Sequence, residues 1–469
     1  QPSEASCHNM TVTRHPNNQG VTLSQWRYNA TGGETTLSGT DAFGAGLSYT
    51  VGAEQVFVNG VLLERGVDYT ASTGTTVTGL TALVAGDIVT VSSPSAFNVA
   101  NAIPKATVAA KGDLIVGNGA SSVTNLAVGA DGTTLVANSS ASTGVSWGGP
   151  QSFNPVINSG FDIWQRGTSF SASGLYYFAD RWQQNNGGTA ITCSRVSATD
   201  ATYLPNIQYA ARIQRTASSS STATVYLGTS LESANSIPFA GKQVTISWYA
   251  RVGALFSGGS SVSLVLYSGT GTDQNINSGF TGSTAVANTG GILSANWQRF
   301  TATGTVSSSA TQLGFSFNWT PSGTAGATDY LDFTGVQIDL GPVALPYRRT
   351  GGTLQGELSA AQRYYYRTSA QTYGRLGFGS ASSTTNAQIL VNLPSTMRTA
   401  PASVDYSTLL VYDTVTLSSV TNVTLTATGQ STNTAAIDCT VASGLTQYRP
   451  YSLTNNNSTS AYIGFSAEL

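Results

Sequence analysis

The chain has 469 residues, of which 40% are hydrophobic and only 9% charged, and its 20 basic and 22 acidic side chains leave a net charge of −2. Such a balance excludes a basic nucleic-acid-binding face, and the hydrophobic content excludes bulk disorder. The length excludes a single core and implies about three domains, and no apolar run is long enough for a membrane-spanning helix.

Gly, Ser, Thr, Ala and Asn stand where soluble proteins usually carry Lys and Glu. These residues suit turns and strand faces better than helix surfaces, so the fold is expected to be all-β. Cys7, Cys193 and Cys439 are odd in number and far apart, which fits neither a disulfide framework nor a zinc site. Cys193 is in phase with Ile191 and reads as a core thiol. No signal peptide is visible at the start, and because the chain opens on Gln1, whether this is the true N-terminus stays open.

In chain order, residues 1–33 read as an extended N-terminal arm that docks on another protein, with the in-phase Trp26 and Tyr28 as its anchors. Cys7, His8 and His15 match no finger spacing, so no metal or other cofactor is expected. Residues 34–93 read as a small β domain. Within it Val56, Phe57 and Val58 lead into Asn59-Gly60, the signal of a type I′ hairpin turn. Residues 94–150 hold short apolar runs punctuated by Gly and Asp, too small to bury a core alone. They fit a stem in which identical chains supply the missing faces, with a flexible linker as the plainer alternative.

Residues 151–350 read as the main sandwich, of jelly-roll-like type. Leu313, Phe315, Phe317 and Trp319 give its cleanest alternation, with Gly314, Ser316 and Asn318 facing out. The phase slips after Phe333, so a bulge is expected at Thr334-Gly335. The sandwich opens on Asn154-Pro155-Val156-Ile157-Asn158-Ser159-Gly160-Phe161-Asp162-Ile163-Trp164-Gln165-Arg166-Gly167, followed by Ala179-Asp180-Arg181-Trp182. Phe161 to Trp164 alternate as a first strand would, and Asp162, Arg166, Asp180 and Arg181 stand ready to fix the following loop. Residues 351–369 form a helical junction, with a helix from Glu357 to Arg367 packing Tyr364, Tyr365 and Tyr366 between domains, and residues 370–469 return to β.

The pattern N-x-x-I-N-x-x-F-x-I-W-Q-R-G … A-D-R-W at 154–182 resembles the opening of a sandwich module of bacteriophage tail-fibre and receptor-binding fibre proteins, itself similar to carbohydrate-binding sandwiches. Ser247-Trp248-Tyr249-Ala250-Arg251, Gly335-Val336-Gln337-Ile338-Asp339-Leu340-Gly341, Ala361-Gln362-Arg363-Tyr364-Tyr365 and the final Phe465-Ser466-Ala467-Glu468-Leu469 agree with it in order. The stretch V-x-V-N-G-V-L-L … D-Y-T at 56–70 resembles a short structural module of phage fibre and adaptor proteins.

Catalytic groupings are sparse. No Gly-x-Ser-x-Gly elbow and no phosphate-cradling loop precedes a helix. A polysaccharide-cleaving tailspike needs two carboxylates about 5–10 Å apart. The candidates are Asp162, Asp180, Asp200, Glu232, Asp273, Asp329, Asp332 and Asp339, of which the first two have arginines close by. The long parallel β-helix of such spikes is missing, and a non-enzymatic protein is expected. Asp329, Asp332 and Asp339 flank one strand and raise a structural calcium, against the alternative of solvated or paired carboxylates.

Sugar rings stack on exposed aromatic faces, and the pool is Trp164, Tyr176, Tyr177, Trp182, Tyr249, Tyr267 and Trp297. Trp164 and Trp182, with Asp162, Arg166, Asp180 and Arg181, read as the structural motif. Tyr249 and Tyr267 face away from their strands' apolar residues and, with Tyr176 and Tyr177, are the ligand candidates. The resemblance implies an elongated homotrimeric virion fibre, of a marine or cyanobacterial phage in one version. It would join the tail, baseplate or adaptor proteins by its N-terminal arm and bind host surface glycans multivalently. A connector or head-decorating fibre without host ligand and a depolymerising tailspike are the alternatives. Neither nucleic acid nor membrane insertion is expected.

Overall fold

The computed structural model describes residues 22–95, 103–129, 133–148 and 153–469, apart from 173, 201, 203, 205, 260, 261, 369 and 370. Cys7, His8 and His15 lie outside the described residues. The fold is all-β with several sheets and short helices, in two compact units, Gln1–Ala110 and Lys111–Leu469.

In the first unit the strand Thr22–Asn29 pairs along its whole length with Ile88–Ser95, at the edge of a four-stranded sheet that continues through Gln55–Val58 and Val61–Leu62. Trp26 is buried, stacks on Tyr28 at 5.6 Å between ring centroids, and shares a core with Val56, Val77, Val89 and Val91. Thr22–Asn29, expected as part of the arm, is therefore a strand of the folded first unit. These two aromatics hold the strand to its own domain, because full pairing with Ile88–Ser95 turns Trp26 inward. Asn59 and Gly60 both take positive φ, 49° and 86°, the backbone a type I′ turn requires.

The second unit begins with two hairpins in the stem region, Leu114–Gly119 with Ser122–Leu126 and Thr134–Ala137 with Val145–Gly148. Leu114, Ile115, Val123 and Leu135 are exposed, and Val136 is buried.

The sandwich consists of two six-stranded antiparallel sheets. One runs Ser169–Phe170, Ile191–Ser197, Tyr209–Arg215, Tyr330–Leu340, Gln243–Val252, Gln298–Thr305. The other runs Leu175–Ala179, Trp182–Asn185, Val225–Ser230, Gln312–Trp319, Ser263–Gly269, Thr284–Gly290. Alternation decides the inner face: Leu313, Phe315, Phe317 and Trp319 from one sheet meet Ile213, Ile246, Trp248 and Phe333 from the other in one core. The bulge sits where the phase slip places it. Tyr249 is opposite Thr334 and Ser247 opposite Gln337, so Tyr330–Leu340 carries one extra residue. Gly335, at φ 63°, occupies the bulge and donates its N–H to the Ser159 carbonyl.

The opening motif differs from its expected form. Residues 154–167 are a closed loop rather than a first strand: Phe161, Ile163 and Trp164 are all buried, and Phe161 and Trp164, three residues apart, enter the main core. Asn158 (φ 55°) and Phe161 (φ 54°) adopt left-handed backbone that no strand tolerates. Asn158 holds the loop shut: its Nδ2 donates to the carbonyls of Ile163 (2.7 Å) and Asp180 (3.0 Å), and its Oδ1 accepts from Ile163 N–H (2.9 Å). The ring of Phe161 lies 4.8 Å from Trp182 and 5.0 Å from Phe333. Trp182 and Trp164 are buried, and their indole N–H groups donate to the Asn158 and Phe161 carbonyls.

Beyond the sandwich, the helix Leu354–Gln362 is capped by Thr353, whose hydroxyl accepts from Gly356 N–H. The helix expected to reach Arg367 stops at Gln362, because Tyr365–Arg367 is a strand paired with Tyr462–Ser466. That three-stranded sheet, completed by Ser403–Ser407, covers a closed barrel of Arg375–Ala381, Asn386–Asn392, Thr434–Val441, Leu417–Leu425, Leu409–Tyr412 and Pro450–Asn455. The C-terminal residues return to the motif loop. Glu468 pairs with Arg166 at 3.2 Å and with Arg181, which is 3% exposed. The guanidinium of Arg166 lies over Tyr365 (3.5 Å) and that of Arg181 over Tyr364 (3.7 Å). Gln165 Nε2 bridges Asp180 Oδ1 (2.7 Å) and the Tyr365 carbonyl (2.6 Å). Barrel and sandwich are thus joined through the charged half of the motif.

Three outcomes follow from this packing. Glu468→Gln leaves Arg181 buried without its carboxylate, and a loss of about 3–5 kcal/mol is expected in denaturant unfolding; a loss under about 1 kcal/mol would detach the junction from this pair. Tyr365→Ala is expected to cost about 3–5 kcal/mol, and an unchanged melting temperature would place Tyr365 outside the core. Burial raises the Asp180 carboxyl to about 6, against the Arg166 charge and the bonds from Gln165. A raised folded-state value means Asp180 contributes stability that is complete below about pH 4 and is lost as pH climbs through about 6. The contribution of Asp180, read as the difference between parent and Asp180→Asn across pH 4–7, should fall in that window, and a flat difference would remove this assignment.

Candidate functional site

The structure separates the four ligand candidates. Tyr249 faces away from the sandwich core but is not an open platform. It packs on a satellite cluster of Ala198, Leu204, Ile207, Ala210, Trp297 and Tyr347, with the Arg299 guanidinium 5.4 Å from its ring. The loop that follows Ser197 covers this face, a tertiary feature that alternation cannot report. Tyr176 packs against the main core beside Phe170, with its hydroxyl near the Cys193 sulfur, and burial raises its phenol. Tyr177 belongs to the interdomain junction: its hydroxyl donates to the Leu469 carbonyl at 3.1 Å, and burial pushes it up to about 12. Trp297 is buried under Arg251. Tyr267 alone of the four lines an open groove.

Seven of the eight candidate carboxylates sit beside an arginine. Asp162 pairs with Arg349 (2.7 Å), Glu232 with Arg363 (2.8 Å), Asp273 with Arg398 (3.3 Å) and Asp329 with Arg215 (2.9 Å). Asp332 is shared by Arg212 (2.7 Å) and Arg251 (3.0 Å), and Asp339 takes Arg348 (2.8 Å). Asp180 is held by Gln165 with Arg166 at 3.9 Å, and Asp200 caps a turn by accepting from Thr202 N–H. Asp329, Asp332 and Asp339 thus point to separate arginines rather than to one another. Among the described residues no three metal-ligating side chains converge.

The groove lies on the outer face of the second sheet and measures about 410 Å³. Its floor follows from the strand pattern. With Phe315 and Phe317 turned inward, Gln312–Trp319 presents Gly314, Ser316 and Asn318 outward, small or amide-bearing residues that leave a hollow. Register then sets an aromatic at either end of that hollow: Tyr226 is opposite Asn318, and Tyr267 is opposite Gly314. Tyr226 is 41% exposed.

The wall is the loop around Ile276–Ser278. Asn275 Oδ1 accepts from Asn277 N–H (2.9 Å), Ile276 N–H donates to the Ser230 hydroxyl (2.8 Å), and Asn277 Nδ2 donates to Gln183 Oε1 (3.0 Å). Gly228 lets this wall sit down on the sheet, since a Cβ there would come within 2.6 Å of the Phe315 carbonyl and 3.2 Å of Ile276. No lining residue carries a charge. Two phenol rings with neutral amides and hydroxyls between them suit a neutral, polyhydroxylated ligand and offer nothing to an ion. The sequence marked neither Tyr226 nor Asn277 as a site residue, and it placed Asn318 outward without assigning it a ligand. The alternation of Val225, Tyr226 and Leu227 was a usable signal for the first, and nothing local marks Asn277.

No protein-family model matches the chain, and no curated protein matches its sequence. Solved structures do. A Stig cyclase from Fischerella sp. TAU aligns at 14% identity and a TM-score of 0.29, covering 41% of this chain and 98% of that one. The CBM22-1 and GH10 modules of the Clostridium thermocellum xylanase 10B align at 12% identity and a TM-score of 0.21, covering 39% of this chain and 30% of that one. Tailspike protein 4 of bacteriophage CBA120, in its enzymatically active domain, aligns at 11% identity and a TM-score of 0.23, covering 40% of this chain and 21% of that one. Likenesses of this degree say nothing of ligand or activity: what this chain is similar to here is a set of folds that serve a cyclase, a xylanase and a tailspike alike.

Proposed function

We propose that this chain is a non-enzymatic, glycan-binding fibre protein of a bacteriophage virion, which recognises neutral sugars of the host surface through the Tyr226–Tyr267 groove. The observation that carries this reading is the groove itself. A pyranose presents an apolar C–H face to an aromatic ring while its hydroxyls need neutral donors and acceptors. Tyr226 and Tyr267 supply the faces, and Asn277, Ser316 and Asn318 supply the polar groups. The fibre assignment is supported by the resemblance of the 154–182 motif, whose work in holding the sandwich to the barrel is independent of any ligand. Arginine pairing of the candidate carboxylates disfavours the tailspike alternative.

A shallow neutral groove gives weak binding at each site, so useful affinity comes from repetition. Three chains joined through the stem would provide it. The exposed Leu114, Ile115, Val123 and Leu135 on two-stranded hairpins have no core of their own, and identical hairpins from two further chains would cover them. The N-terminal residues would face the tail, baseplate or adaptor, and the sandwich the cell.

Full-length protein is expected to bind immobilised neutral polysaccharides from the host envelope and to block phage adsorption. Tyr226→Ala and Tyr267→Ala should each weaken binding at least about fivefold, as loss of a stacking face does, with melting temperature held within about 2 °C. Variants that bind like the parent would overturn the groove. The intact chain should sediment as a trimer and a chain lacking residues 114–148 as a monomer, whereas a stable intact monomer at micromolar concentration would sink the assembly.

A further inference from the structure

A second hollow, separate from the groove and of different chemistry, lies on the barrel. The outer faces of Arg375–Ala381, Pro450–Asn455 and Leu409–Tyr412, three neighbouring strands, enclose a hollow of about 580 Å³. Phe378, Ser452 and Tyr412 stand abreast in register across it. Neighbouring strands are about 4.8 Å apart, so the two aromatic walls are separated by roughly 10 Å, with a serine between them. Phe378 is 67% exposed, a large apolar ring turned to solvent on a strand whose inward neighbours are small.

Arg375 sets the chemistry. Its guanidinium lies over the Tyr412 ring at 4.4 Å, and its Nη1 donates to the Ser452 hydroxyl. Among the described residues no carboxylate is within ion-pair distance of it, in a chain whose buried carboxylates are nearly all paired to arginine. Stacking fixes the plane of the guanidinium and Ser452 occupies one nitrogen, which leaves Nε and Nη2 as a preset side-on pair of donors. At the opposite rim Arg449 is neutralised by Asp413 at 3.1 Å. The hollow thus has a net positive charge at one end only.

The rim is held in strained backbone. Thr414, a β-branched residue, sits at φ 80° and Tyr448 at φ 66°. Asp413 enforces the first turn by accepting from the N–H groups of Val415 (3.0 Å) and Thr416 (2.6 Å), while the Tyr412 hydroxyl donates to the Thr414 carbonyl (2.7 Å). Left-handed backbone at non-glycine residues costs energy and is kept where a surface must hold one shape.

We propose that this hollow binds an acidic sugar, a hexuronate or similar carboxylated glycoside, whose ring slots between Phe378 and Tyr412 and whose carboxylate takes the Nε and Nη2 donors of Arg375. The site shares no residue with the groove and stands whether or not the groove binds a neutral glycan.

The test titrates full-length protein with trigalacturonate, triguluronate, 3′-sialyllactose, maltotriose and triglutamate. At least one acidic oligosaccharide should bind, and more weakly as salt rises. Arg375→Gln should weaken that binding tenfold or more, Phe378→Ala at least fivefold, and Arg375→Lys should recover only part of it. Both side chains sit at the surface, so the melting temperatures of all three variants should match the parent. The Tyr226→Ala/Tyr267→Ala double variant should keep acidic-sugar binding unchanged, which separates a failure of this site from a failure of the groove. Binding of none of the three acidic sugars would overturn the proposal, as would an Arg375→Gln variant that binds them like the parent. Triglutamate binding as tightly as the sugars would overturn the carbohydrate assignment.

Discussion

The pairing of Arg181 with Glu468 is the constraint on which the second unit depends. A guanidinium with 3% exposure must find a carboxylate, and the one it finds comes from the far end of the chain. That requirement ties the motif loop, the Tyr364–Tyr365 segment and the C-terminal residues into one polar junction. Buried ion pairs add little net stability, because desolvation offsets most of the attraction, yet removing one partner is severe. Their service here is specificity: only one docking of barrel on sandwich brings Glu468 between Arg166 and Arg181. Burial raises the Glu357 carboxyl, which nonetheless accepts from Asn158 and Gly351 N–H groups and so pins the following helix to the same loop.

Seen from this junction, the low charge content has a plain explanation. The second unit uses its arginines to satisfy buried carboxylates and carbonyls within and between domains, as Arg215 does with Asp329 and three backbone oxygens. Few charges are left for the surface, which hydroxyls and amides cover instead. A neutral surface of that kind suits sugar hydroxyls and avoids salt-dependent sticking. It also makes an unpaired exposed cation such as Arg375 conspicuous.

The two candidate sites divide the aromatic residues by a simple rule of strand geometry. Aromatics in phase with the apolar face, such as Phe315 and Trp248, fill cores, and those out of phase reach solvent only if nothing covers them. Tyr226, Tyr267 and Phe378 meet that second condition. Tyr249 does not, because Ile207, Trp297 and Tyr347 lie over it.

Period-2 alternation, glycine-marked turns and the phase slip near Asp332 were enough to determine the all-β class, the inward residues of Gln312–Trp319, the Asn59-Gly60 turn and the bulge at Gly335. Each is a local consequence of backbone geometry, written within a few residues of where it acts. Tertiary structure alone decided that Phe161 to Trp164 is a loop, since Asn158 closes it through Ile163 and Asp180. It alone decided that Thr22–Asn29 joins a sheet through a partner some 65 residues away, that Tyr249 is covered, and that Tyr226 and Tyr267 share one groove. Those facts depend on register between strands distant in sequence and on which loop folds over which face, and a pattern with a period of two carries neither.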